Sequence, residues 1–208
     1  MIPESSMVSD GSGGGQMFTG KTRNLGIMGW PVEHSLSPAM QNAAIRAAGL
    51  DYAYVALPVK PENIDTAVEG LRSLGFVGWN VTIPHKSAIL SSLDEVHEDA
   101  RMIGAVNTVV QREGKLIGYN TDVTGFLAGL SQMEFSVAGK RVAVLGAGGA
   151  ARAILWGLCR EKAGHVTFGV RNPEKAEKMV GDFSAWGDIS VVHWEDAAFA
   201  EYLTEADL

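Results

Sequence analysis

Cysteine is nearly absent: Cys159 is the only one in 208 residues, which excludes an internal disulfide and any zinc site built on several thiolates. Positive charge is also scarce. Seventeen Lys and Arg face 24 Asp and Glu, a net charge of −7, so overall charge draws the chain neither to nucleic acid nor to an anionic membrane. No apolar run approaches the roughly 18 residues of a spanning helix. The N-terminus lacks the basic-then-apolar layout of a secretory signal, so a cytoplasmic location is expected. The five histidines lack metal-ligand spacing, and no metal is expected. What remains is a globular composition, 46% apolar and 20% charged, with glycine in excess. Glycine fills 25 positions, well above the average of about 7%.

Residues 1–17 include the run Gly11-Ser12-Gly13-Gly14-Gly15, expected to behave as a flexible Gly/Ser leader. Beyond it, strand-like and helix-like stretches alternate. Strands are expected at 25–30, 52–57, 76–81, 141–145, 165–170 and 189–192. The stretches 105–110 and 116–119, joined by Arg112-Glu113-Gly114-Lys115, read as a hairpin. A helix is expected to open with Ser37 as N-cap and Pro38 in its first turn. Ile64, Val68 and Leu71 share one helical face, as do Phe126, Leu130 and Met133. Further helices fit 149–162 and 173–180. Alternation of this kind implies an α/β protein with parallel sheet. The expected division is a substrate-binding α/β domain over 18–122, a linker helix over 123–136, and a partial Rossmann-type dinucleotide-binding domain over 137–208.

One motif carries a mechanism of its own. Gly146-Ala147-Gly148-Gly149-Ala150-Ala151 is G-x-G-x-x-A between an expected strand and an expected helix. Gly146 permits the tight turn, Gly148 admits a pyrophosphate close to the backbone, and Ala151 lets helix pack on sheet. The helix start offers free N–H groups to phosphate, so residues 146–150 are candidate cofactor contacts. The next strand runs out through Val170-Arg171-Asn172-Pro173. An acid at its tip would bond a ribose 2′-hydroxyl, whereas an arginine suits a 2′-phosphate. Arg171 with Asn172 therefore favours NADP over NAD; the competing reading of Arg171 is a solvated loop residue.

Three further clusters fall at strand ends: Ser35-Leu36-Ser37-Pro38, Asn80-Val81-Thr82-Ile83-Pro84-His85-Lys86, and Asn120-Thr121-Asp122. Two hydroxyls beside a helix start can both donate to a carboxylate, although Ser37 also suits a plain N-cap. Lys86 suits an ordinary surface lysine equally well, and Asp122 suits a helix cap. His34 and His85 read as bystanders.

With Ile103-Gly104-Ala105-Val106-Asn107-Thr108 and Gly118-Tyr119-Asn120-Thr121-Asp122 in order between them and the glycine loop, these clusters resemble the shikimate dehydrogenase family over residues 24–180. The resemblance implies reversible NADPH-dependent reduction of 3-dehydroshikimate to shikimate in aromatic biosynthesis. It also implies that Ser35 and Ser37 hold the substrate carboxylate, that Thr82, Asn107 and Asp122 bond ring hydroxyls, and that Lys86 and Asp122 form the catalytic pair. A ketone reduced by a nicotinamide leaves an alkoxide that needs a proton donor and positive charge, which a lysine supplies. The partner expected is thus a small molecule, with the protein a monomer or homodimer. Gln41 stands where the family often has His, and the family continues beyond the position of Leu208, so a C-terminally shortened member is expected. A quinate/shikimate relative using NAD and a catalytically silent fragment are the competing readings; Ser37 and Arg171 disfavour the first, and intact Lys86 and Asp122 the second.

Overall fold

The computed structural model describes residues 18–208; the expected leader over 1–17 lies outside the described residues. The fold is α/β, built on two sheets. Strands β1 (Arg23–Gly29), β2 (Tyr52–Pro58), β3 (Gly78–Val81), β4 (Glu95–Val96), β5 (Thr108–Arg112) and β6 (Lys115–Tyr119) form the first, in the order β2-β1-β3-β5-β6-β4. Helices α1 (Ser37–Ala47), α2 (Ile64–Ser73) and α3 (Glu98–Ile103) accompany it. Helix α4 (Asp122–Gln132) leads to the second sheet, β7 (Arg141–Leu145), β8 (His165–Val170) and β9 (Ile189–His193), interleaved with α5 (Gly149–Arg160), α6 (Pro173–Gly181) and α7 (Ala197–Glu205).

The second sheet is parallel throughout, in order β7-β8-β9, as the alternation predicts. The first is mixed. β1 lies parallel to β2 and β3, but β5 runs antiparallel to both β3 and β6. The antiparallel pairing comes from the expected hairpin, which β5 and β6 form and which reverses direction within two residues. Glu113 and Gly114, at φ 52° and 79°, supply the two left-handed positions that such a turn requires.

Helix α2 buries Ile64, Val68 and Leu71, the face marked by their spacing. Together with Met28, Trp79, Val81, Ile89, Val106, Val109 and Leu116 they form the core of the first half. The second core gathers Val142, Leu155, Leu158, Val166 and Phe168, and also takes in Ile103, Ala105, Val123 and Leu130. The halves are tied by polar contacts as well. Arg152 of α5 donates from Nε to the Ile103 carbonyl, and Trp156 Nε1 donates to Asp99 of α3 at 2.7 Å.

Several boundaries move. The third strand starts at Gly78 rather than 76, α5 stops at Arg160 rather than 162, and the expected linker helix over 123–136 is the shorter α4. Met133 follows α4 and is largely exposed rather than on the buried face; Glu134, at φ 56°, breaks the helix there. Ser37 is the first helical residue and not the N-cap: Leu36 holds that position with no side-chain cap. Asp122 likewise lies inside α4, behind Thr121 as N-cap. Helices α3 and α7 were not expected. The first has only six residues and ends at Gly104, φ +70°, too short for periodicity to show.

Candidate active site

The site lies at the ends of β1, β3 and β6. After β3 the chain turns through Thr82, Ile83 and Pro84, and this loop is held along its length. Thr82 N–H donates to the Met28 carbonyl at 2.8 Å, His85 N–H to the Thr82 carbonyl at 2.9 Å, and Val106 N–H to the Lys86 carbonyl at 2.7 Å. The His85 ring is buried, with Nε2 2.7 Å from the Val59 carbonyl; it anchors the loop rather than standing idle. Gly29, at the end of β1, lets the two loops close up, since a Cβ there would collide with the Thr82 methyl group.

The charged centre is compact. Lys86 Nζ donates to Asp122 Oδ2 at 2.8 Å, and Asn107 Nδ2 donates to Asp122 Oδ1 at 2.8 Å. Both carboxylate oxygens are thereby engaged by donors from different segments. The Asn107 orientation is fixed from its other side, because Oδ1 accepts from the Thr121 N–H at 2.9 Å, and a backbone N–H can only donate. Thr108 Oγ1 donates to the same oxygen at 2.9 Å. Behind Thr108 stand Asn80, whose Nδ2 donates to Thr108 Oγ1 at 3.2 Å, and Tyr54, whose hydroxyl donates to Asn80 Oδ1 at 2.7 Å. Burial pushes the Tyr54 hydroxyl up to about 12, so it stays a neutral donor. The side chains of Lys86 and Asp122 remain 25% and 31% exposed, open to a ligand.

Beside this centre is a cavity of about 430 Å³ lined by Ile27, Trp30, Val32, Ser35, Ser37 and Thr82, among others. Ser35 Oγ accepts from the Ser37 N–H at 3.3 Å, and both serines line the cavity at the start of α1. Six side chains singled out from sequence thus fall on neighbouring strand ends. Tyr54, Asn80, Thr108 and Thr121 support them without an expected role; Asn80, Thr108 and Thr121 sit inside the quoted motifs, whereas Tyr54 lies in none and meets Asn80 only across the sheet.

The glycine loop lies at the other sheet. Gly146 takes φ +88°, a conformation that disfavours any side chain, and its N–H donates to the Gly169 carbonyl at 2.9 Å. Gly148 is the N-cap of α5, whose first turn has no capping side chain and no acidic residue. A Cβ at Gly148 or Gly149 would meet open space. Uncapped N–H groups with room before them fit an anionic group such as a dinucleotide phosphate. Ala147 precedes the N-cap, and Ala150 is the second residue of α5. Arg171 follows β8 directly and is exposed. Asn172 caps α6 instead, its Oδ1 accepting from the Lys175 N–H at 3.1 Å.

Among the described residues no helix is long and apolar enough to cross a membrane. Residues 27–109 match the model of the shikimate dehydrogenase substrate binding domain. A shikimate dehydrogenase (NADP(+)) of Geobacter metallireducens is 54% identical over 167 residues, 80% of this chain and 58% of that protein. The chain thus spans little more than half the length of this relative. The crystal structure of a Listeria monocytogenes shikimate 5-dehydrogenase, in complex with shikimate and NAD, is 34% identical with a TM-score of 0.85, covering 91% of this chain and 68% of that one. A Gluconobacter 5-ketofructose reductase is 41% identical with a TM-score of 0.80, over 85% of this chain and 64% of that one. With motifs, fold and sequence in agreement over this length, the chain belongs to the shikimate dehydrogenase family.

Proposed function

We propose that this chain carries the substrate site and much of the cofactor site of an NADP-dependent shikimate dehydrogenase, which interconverts 3-dehydroshikimate and shikimate. The observation that carries the reading is the Lys86–Asp122–Asn107 cluster, in which both oxygens of Asp122 are held at 2.8 Å beside the cavity of Ser35, Ser37 and Thr82. In the proposal residues 18–122 form the substrate-binding domain and 137–208 the cofactor-binding part, with α4 within the connection. The cytoplasm is its location and a small molecule its partner, as monomer or homodimer, with no role for nucleic acid.

Ser35 and Ser37 present two hydroxyls to the substrate carboxylate, which accepts hydrogen bonds strongly. Thr82, Asn107 and Asp122 orient the ring through its hydroxyls. When bound, NADPH supplies the reducing equivalent for the ketone carbonyl. Lys86 places its ammonium where the oxyanion develops and donates the proton that completes the alcohol. Asp122 fixes the direction of that ammonium, and Asn107 fixes Asp122. In the reverse direction the lysine accepts the proton. Gly146, Ala147, Gly148, Gly149 and Ala150 provide the cradle for the pyrophosphate, while Arg171 pairs with the 2′-phosphate from the tip of β8 and Asn172 shapes the turn beside it.

The test is a steady-state comparison of shikimate and quinate, each with NADP+ and NAD+, followed by 5-ketofructose with NADPH. The expected result is the highest kcat/KM for shikimate with NADP+. Preference for quinate, NAD+ or 5-ketofructose would reassign the substrate or cofactor, and no turnover or saturable binding with any of them would reject the proposal.

A further inference from the structure

Four arginines lie in residues 137–208. Three have a carboxylate partner: Arg141 with Glu205, Arg152 with Asp182, and Arg160 with Asp99. Arg171 has none among the described residues. Its guanidinium instead lies over the indole of Trp194, 5.6 Å from the ring centroid, inside the range of a cation–π contact. Trp194 stands immediately after β9, and its N–H donates to the carbonyl of Val170 at 3.1 Å. The ring is therefore tied through the backbone to the residue preceding the arginine it supports.

The chemistry of this pairing differs from that of an ion pair. A carboxylate would occupy the guanidinium N–H groups and cancel their charge. An aromatic face holds the group through its π surface and leaves the planar fork of donors charged and unused. That is the state a doubly charged phosphate monoester requires of its receptor. We infer that Trp194 is a specificity-determining positioning residue, which holds Arg171 as an open fork for the cofactor 2′-phosphate. The inference rests on the reading of Arg171 given above and adds the residue that makes it effective.

The experiment is calorimetric titration of the 208-residue protein with NADP+ and with NAD+, which needs no turnover. Trp194→Leu, which keeps apolar bulk without the π face, should weaken NADP+ binding by about three- to thirtyfold while changing NAD+ binding by less than about twofold. Trp194→Phe should restore most of the discrimination. In combination with Arg171→Ala, Trp194→Leu should add nothing to the loss caused by Arg171→Ala alone. Trp194→Gln repeats the measurement should the leucine variant not fold. If Trp194→Leu weakens both cofactors equally, the ring acts on the shared adenosine part or on the fold, and the inference is wrong. If Arg171→Ala lowers the NADP+ preference and Trp194→Leu does not, the inference fails while the reading of Arg171 stands. Failure of Arg171→Ala to change the preference, or of the unaltered protein to bind NADP+ saturably, would overturn that reading and the inference with it.

Discussion

Replacing Lys86 by methionine should separate catalysis from stability. Methionine keeps an unbranched apolar stem and removes only the ammonium. The lost contact is the 2.8 Å pair with Asp122, whose side chains are 25% and 31% exposed. A pair open to water at that level contributes at most about 1 kcal/mol. The Lys86 backbone stays clasped through its carbonyl to Val106, so the loop keeps its course. For a chain of this length the melting temperature should fall by no more than about 4 °C. Turnover should fall about 10²–10⁴-fold, the usual contribution of a positioned acid–base group. Lys86→Arg distinguishes proton transfer from charge alone. The guanidinium keeps the positive charge and a partner for Asp122, but it does not give up a proton at working pH. It should therefore remain as slow as the methionine variant. The assay is NADPH oxidation with 3-dehydroshikimate, run beside a thermal melt. A rate within about tenfold of the unaltered protein for Lys86→Met would remove this residue from the chemistry. A full rescue by arginine would reduce its role to electrostatics, and a fall of about 10 °C or more in either melt would make it structural.

Arg171→Asp should shift cofactor preference from NADP+ toward NAD+, because it removes the fork and places a carboxylate that repels phosphate and can accept from a ribose hydroxyl; unchanged relative affinities would show that another residue reads the 2′ position. Gly169→Ala should destabilise by about 1–3 kcal/mol, since a Cβ on β8 would run into the buried ring of Phe199 on α7; a melt within 1 °C of the unaltered protein, where about 2–4 °C per kcal/mol is expected, would mean the helix moves freely. Asp94 links α2 to β6, accepting from Arg72 Nη1 at 2.7 Å and from the Leu116 N–H at 2.6 Å. These bonds, that of Arg72 foremost, hold its carboxyl below the usual carboxylate range. A carboxyl lowered by folding contributes stability above its unfolded value near 4 and loses it as pH falls through the folded value. Asp94→Asn should accordingly lower the melting temperature at pH 7, with the gap closing below about pH 4; a gap independent of pH would refute the assignment.

The sequence by itself determined the local elements whose causes are local. Spacing marked the buried face of α2, and the bounds of β7 and β8 follow from short apolar runs between breakers. The left-handed turn at Gly146 follows from a residue type that alone adopts it without strain. Motif order and the family resemblance also placed Lys86, Asp122, Asn107 and the two serines as candidates, all but Asn107 lying beyond the end of an expected strand. Tertiary structure decided what depends on residues distant in the chain. The hairpin was legible, but its place between β3 and β4 in the sheet order, with β5 antiparallel to β3, was not. Asp122 proved to be the common acceptor for Lys86 and Asn107, 36 and 15 residues away, and no spacing rule expresses that meeting. The supporting line of Tyr54, Asn80 and Thr108, and the indole beneath Arg171, belong to the same class. Periodicity and propensity act within a few residues, whereas hydrogen bonds across strands and stacking between strand ends exist only once the sheets have brought those ends together.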